Sequence, residues 1–208
     1  TLLPLDMKWS NFYTSSIDRK VIMASTGLFL TLFLIAHLGL NATIFANDGG
    51  VLFDRTADLL GHNWGLHCLE ILVFSGLIIH IWQGASLTLQ NKSKRSTPYA
   101  VSPSFSLTPA RWMGILGTIV LAFLLLHLYQ FWLPNALGTA AQSHDLYQLM
   151  KSTMSQWWVA AIYVLGCFAV AAHLGHGWRS AAITLGLADR YLKFLSVFGM
   201  MLAIVVPL

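Results

Sequence analysis

The sequence is poor in charge, and poorest in carboxylates. Of 208 residues only 10% are Asp, Glu, Lys or Arg, and Glu70 is the single glutamate among eight acidic side chains. With 56% hydrophobic residues and a mean hydropathy of +0.65, the chain lacks the polar surface that a soluble domain needs. Cysteine is scarce as well. Cys68 and Cys167 each stand alone in an apolar run, which excludes a disulfide framework and a cysteine-held iron–sulfur cluster. With no C-x-x-C-H, a covalently attached c-type haem is excluded too. No Gly-rich nucleotide loop occurs, so nothing here reads as a flavin site.

What the chain has is long apolar runs. Val21 to Phe45 carries no charged side chain and one histidine, His37. About 20 apolar residues at ~1.5 Å each cross a ~30 Å hydrocarbon core, so this run reads as a membrane span. It is longer than a signal-peptide core and no small-residue cleavage site follows it, so it reads as retained. Further spans are expected at 66–89, 109–132, 157–183 and 190–208. Pro109 sits in the first turn of the third and Pro134 stops it. Between them, 46–63 reads as a loop with Gly49-Gly50 as a turn signal. Residues 90–108 read as a solvated linker, and 135–156 as a polar loop with a short surface helix in HDLYQLMKSTM. The expectation is one all-α domain over 1–208, an integral membrane bundle of five transmembrane helices.

Basic residues set its orientation. With a cytoplasmic N-terminus, ten of the twelve Lys and Arg residues fall in inner segments, and only Arg55 and Lys151 lie outside. This is the positive-inside pattern. The net charge of +4 is therefore a topology signal and no sign of nucleic-acid binding. Seven of the eight tryptophans, Trp9, Trp64, Trp112, Trp132, Trp157, Trp158 and Trp178, fall near span ends as an aromatic belt.

An intramembrane histidine is costly without a partner and marks a functional site by default. Here four successive spans carry one at depth: His37, His80, His127 and His173. At ~1.5 Å per residue, His37 and His127 lie about 21–24 Å from the inner edge. By the same rise His80 and His173 lie about 21–23 Å from the outer edge. Depth therefore sorts them into an outer pair, His37/His127, and an inner pair, His80/His173. A flat macrocycle held edgewise between helices, with one imidazole on each face of its iron, needs this arrangement. The pattern points to two haem b groups. Isolated histidines bonding across helix interfaces are the bland alternative, and a haemless transporter bundle is the other. Neither requires pairing by depth in four consecutive spans. His62, His67 and His144 lie at or beyond the outer interface, and His176 is either a ligand or a propionate neighbour.

The pattern Ser25-Thr26-Gly27-Leu28 followed by His37 resembles the first helix of the five-helix, two-haem cytochrome b anchor of succinate dehydrogenase and fumarate reductase. EILVFSGLIIHIWQG (Glu70 to Gly84), LLLHLYQFW (Leu124 to Trp132) and HLGHGWRSAAITLG (His173 to Gly186) resemble its next three helices. The likeness runs from about Ser16 to the end. It implies His37, His80, His127 and His173 as the axial iron ligands. In the fourth helix the family ligand stands four residues before a glycine, here Gly177, which selects His173 over His176. It also implies a bacterial-type inner (cytoplasmic) membrane, with a flavoprotein subunit and an iron–sulfur subunit docked on the cytoplasmic face. Succinate chemistry then belongs to those chains, and this one passes electrons to or from menaquinone or another quinone. The cytochrome b anchor of a hydrogenase or formate dehydrogenase type enzyme stays open beside it.

Two sets of polar residues remain. Arg19, Ser25, Trp112, His176 and Arg179 are expected around the inner haem's propionates. Glu70, ten residues before His80 and so roughly 15 Å further out, is expected beside the outer haem. With Trp64 and His67 it is a candidate for quinone proton transfer, against a bland reading as an interfacial hydrogen-bonding group.

Overall fold

The computed structural model of the chain describes residues 16–61, 63–93, 109–137 and 146–186, together with 197, 199 and 201. These residues are mostly helical, and among them there is no strand. Four long helices carry the architecture: α1 (Ser16–Asn41), α3 (Trp64–Ser93), α4 (Pro109–His127) and α7 (Trp157–Thr184). All four, with the turns continuing α1 and α4, are long and apolar enough to cross a membrane. Their outward faces carry large apolar side chains such as Leu32, Ile71, Leu125 and Leu165, each at least 60% exposed. Hydrocarbon accepts such a surface where water does not. The fifth expected span, 190–208, lies outside the described residues except for Val197, Gly199 and Met201, which are helical.

Hydroxyl groups in these helices return to their own backbone. Thr31, only 3% exposed, donates to the Gly27 carbonyl at 2.8 Å, and Ser75, Thr88, Thr118 and Thr184 make the same i−4 bond. A polar group surrounded by helices or lipid is thereby satisfied without leaving its own element.

The helices form a ring. α1 packs against α3 and α7, α7 packs against α4, and α4 meets α3 more loosely. Glycines let the neighbours close in. A Cβ on Gly76 of α3 would stand 3.0 Å from the Phe29 ring of α1, and one on Gly84 would stand 3.4 Å from Met23. Gly166 of α7 faces the Phe123 ring of α4 so closely that a Cβ there would overlap it. Small residues at helix contacts are the rule in lipid, where packing and not water expulsion drives association. Around this ring α1–α7 and α3–α4 are sides, whereas α1–α4 and α3–α7 are diagonals.

Two expectations need correction. The segment 46–63 is not simply a loop, because it contains α2 (Val51–Gly61). After a short 3₁₀ turn, Ala42–Ala46, the chain reverses through Asn47, Gly49 and Gly50, all at positive φ. Asp48 then accepts from the Gly50 and Leu52 amides at 3.0 and 2.8 Å and caps the new helix. The turn at Gly49-Gly50 is present, and behind it stands a short helix in place of the expected loop. Pro134, expected to end the third span, does not. The helix passes through a π turn, Leu128–Trp132, into α5 (Leu133–Ala136). The proline ring crowds the carbonyl four residues back and offers no N–H. The chain widens instead, and the Leu133 amide bonds the Leu128 carbonyl five residues back.

The short surface helix is present as α6 (Leu146–Met154). Asp54 of α2 accepts the Tyr147 amide at 2.9 Å, tying α6 to α2 at the end of the bundle where α1 finishes. That end is called upper below, and the end where α1 begins is called lower.

Candidate functional site

Each diagonal of the ring is bridged by two imidazoles. His37 of α1 meets His127 of α4 with ring centroids 5.8 Å apart and planes at 87°. His80 of α3 meets His173 of α7 at 6.2 Å and 76°. The diagonal helices are not packing partners, so the histidines reach across the interior.

The two bridges lie at different heights. Thr26 and Gly27 of α1 touch His80, and His37 is ten to eleven residues further along the same helix, a rise of about 15–16 Å. Gly117 of α4 faces His173, and His127 follows ten residues later, about 15 Å on. Two helices thus give one separation independently. The sorting of the four histidines by depth, His37 with His127 and His80 with His173, is the arrangement seen.

The geometry suits a metal held between rings. Histidine bonds a transition metal at about 2 Å, so two imidazoles on opposite sides of one ion have centroids a little over 6 Å apart. The lower pair matches, and the upper pair is a few tenths of an ångström short. Among the described residues His173 Nδ1 is buried without a hydrogen-bond partner, a state that a buried ring nitrogen seldom keeps. Among the described residues no group of three or more His, Cys, Asp or Glu side chains converges as a self-sufficient metal site. Two donors per level would suit a metal whose other ligands a planar group supplies.

Aromatic rings enclose the upper pair. Phe33 stacks on His37 at 5.5 Å, and Phe123, Phe131 and Tyr163 lie 6.3, 5.5 and 6.2 Å from His127. Tyr163 donates its hydroxyl hydrogen to Gln130 Oε1 at 2.7 Å, so the phenol and the amide oxygen are paired within the bundle. Gln130 and Trp132 both sit in the π turn, where their directions follow from the widened backbone and not from simple helical periodicity.

Trp132 completes a second cluster. Its indole N–H donates to Glu70 Oε1 at 2.5 Å, and its ring lies 5.1 Å from Phe74. His67 Nδ1 stands 3.4 Å from the other carboxylate oxygen, a long contact between half-exposed groups. The structure therefore joins Glu70 and His67 as expected and adds Trp132. Trp64 is 83% exposed and makes no hydrogen bond or ring contact with them among the described residues.

The lower polar residues are more dispersed. Arg19 lines an open cleft of about 350 Å³ with Trp82, Gln83 and Ser86. Ser25, Trp112 and Arg179 are exposed and His176 is half-buried. His173, and not His176, is the ring that meets His80. Beside the exposed Ser25, its neighbour Thr26 reaches the His80 ring. No sequence signal separates these two hydroxyls except the helical angle between adjacent residues. Compared with family models, curated proteins and solved structures, the chain matches none.

Proposed function

We propose that this chain is the di-haem cytochrome b membrane anchor of a succinate:quinone oxidoreductase. It carries electrons between an iron–sulfur subunit and menaquinone or another quinone. The observation that supports this best is the pair of histidine bridges across the two diagonals of one four-helix ring, about 15 Å apart in height. Two haem b groups fit there, His80 and His173 serving the lower and His37 and His127 the upper. When bound, they supply one-electron carriers at two depths of the membrane.

The rest of the work falls to this chain's side chains. The four helices hold the imidazoles at fixed separation, and the aromatic walls of the upper level exclude water. The lower end faces the cytoplasm by the distribution of Lys and Arg, and there the flavoprotein and iron–sulfur subunits dock. Arg19, Ser25, Trp112, His176 and Arg179 supply positive charge and hydrogen bonds for haem propionates at that end. At the upper end Glu70 is the acid–base group of the quinone site. Trp132 fixes one of its oxygens and His67 stands at the other, so the carboxylate is oriented between a rigid indole and the aqueous edge.

The pyridine haemochrome assay on purified protein tests the reading. Two extractable, low-spin haems per chain are expected, and one or none overturns it. Identification of the co-purifying subunits tests the partner: a flavoprotein and an iron–sulfur protein that oxidise succinate are expected, and a hydrogenase or formate dehydrogenase module would reassign the anchor.

A further inference from the structure

The segment Ser25-Thr26-Gly27-Leu28 lies in α1, and only Ser25 of it has a role in the reading above, at the propionates. In the structure its two middle residues form the surface against which His80 rests. Thr26 Oγ1 lies 3.2 Å from His80 Nδ1 across the α1–α3 interface. The same oxygen is 2.8 Å from the Ile22 carbonyl and 3.2 Å from the Met23 carbonyl. A threonine hydroxyl has one hydrogen, and both carbonyls can only accept it. With that hydrogen directed at the backbone, the oxygen presents lone pairs to the imidazole, so Nδ1 is the protonated nitrogen and donates. The neighbouring position sets the distance. A Cβ on Gly27 would stand 3.2 Å from His80 Cε1 and 3.7 Å from Nδ1, so any larger residue would push the ring away from α1.

From this we infer that Thr26 is a positioning residue for His80: its hydroxyl accepts the Nδ1–H, fixes the ring's tautomer and plane, and leaves the Nε2 lone pair directed into the bundle. Gly27 provides the clearance. The inference rests on the haem reading above, and it gives the two imidazoles of the lower level different electronic settings. An imidazole that donates from Nδ1 is a more basic ligand through Nε2, and a more basic ligand favours the oxidised metal. Among the described residues His173, across the lower level, has no such partner on Nδ1. Among the described residues, therefore, one ring of the lower pair is held through its far nitrogen and the other is not.

The test is a redox titration of the assembled complex, with low-temperature electron paramagnetic resonance of the oxidised haems, in Thr26→Val, Thr26→Ser and Gly27→Ala. Gly39→Ala is the control, because a Cβ there meets nothing within 4 Å. Haem content of the unaltered complex is measured first. A complex without two haems refutes the haem reading itself, before any variant is made. With two haems present, Thr26→Val is expected to shift the lower haem's midpoint potential to a more positive value and to move its largest g value. The upper haem should stay unchanged. Thr26→Ser should restore both signals, and Gly27→Ala should alter the g value with the hydroxyl intact. An unshifted lower haem in Thr26→Val overturns the inference, as does an equal shift of both haems. If the valine variant loses the lower haem, the serine variant decides: unaltered potentials support the hydroxyl's role, and shifted ones overturn it.

Discussion

Glu70 and Trp132, one on each of two loosely packed helices, are joined by an indole-to-carboxylate hydrogen bond of 2.5 Å. The bond fixes one oxygen of the chain's only glutamate and leaves the other toward His67. Replacing Glu70 by Gln keeps an acceptor for the indole and removes the acid. Quinone turnover should then fall by about 100-fold, the scale on which positioned acid–base groups contribute, while reduction of a soluble dye by the dehydrogenase persists. Turnover with quinone at the original rate would exclude Glu70 from the site and favour a lower pocket near the face where the partner subunits are proposed to dock.

Pairing is tested by deletion. His37→Ala and His127→Ala should each deplete the same spectral component, and His80→Ala and His173→Ala should each deplete the other. His176→Ala should leave both in place, because His173 is the ring that meets His80. Different components lost from His37→Ala and His127→Ala would break the upper bridge.

Tyr163 and Gln130 satisfy one another inside the bundle. Tyr163→Phe leaves the amide oxygen without that donor and should lower thermal stability in detergent by about 1 kcal/mol, the usual size of an interhelical hydrogen bond in lipid. In a double-mutant cycle, Gln130→Leu made with Tyr163→Phe should cost less than the sum of the single changes. Additive costs would show that the bond contributes nothing.

Gly166 holds α7 against the Phe123 ring of α4. Gly166→Ala forces a Cβ into that ring and should destabilise the protein by about 1–3 kcal/mol, as overpacking does. Phe123→Leu in the same chain should return part of the loss. Melting followed through the upper histidine level, where Phe123 also lies against His127, should register the change first.

The long helices and their four histidines were legible because both depend on local counts: the length of an apolar run and the position of one residue along it. Pairing by depth needed only the rise per residue and the alternation of direction between spans. The ring order of the helices was not legible, since it is set by where glycines permit close approach, such as Gly76 against Phe29. Nor was the assignment of diagonals, which follows from that order. Trp132 and Gln130 escaped because the π turn before Pro134 rotates their directions away from helical periodicity. α2 escaped because acidic and basic residues in 51–61 masked a short apolar face. Arg19 and Ser25 were assigned a shared task from their common end of the span. Sequence position does not say which face of α1 each occupies, and in the structure Ser25 is exposed while Thr26 lies against His80.

The difference in height between the two histidine bridges has an electrical consequence. About 15 Å is half of a ~30 Å hydrocarbon core, so a charge moved from one level to the other traverses about half of the membrane field. A full crossing is worth roughly 2.3 kcal/mol per elementary charge per 100 mV, so each electron passed between levels gains or loses about 1 kcal/mol per 100 mV. Turnover through both levels is therefore expected to depend on membrane voltage, accelerated by one polarity and opposed by the other.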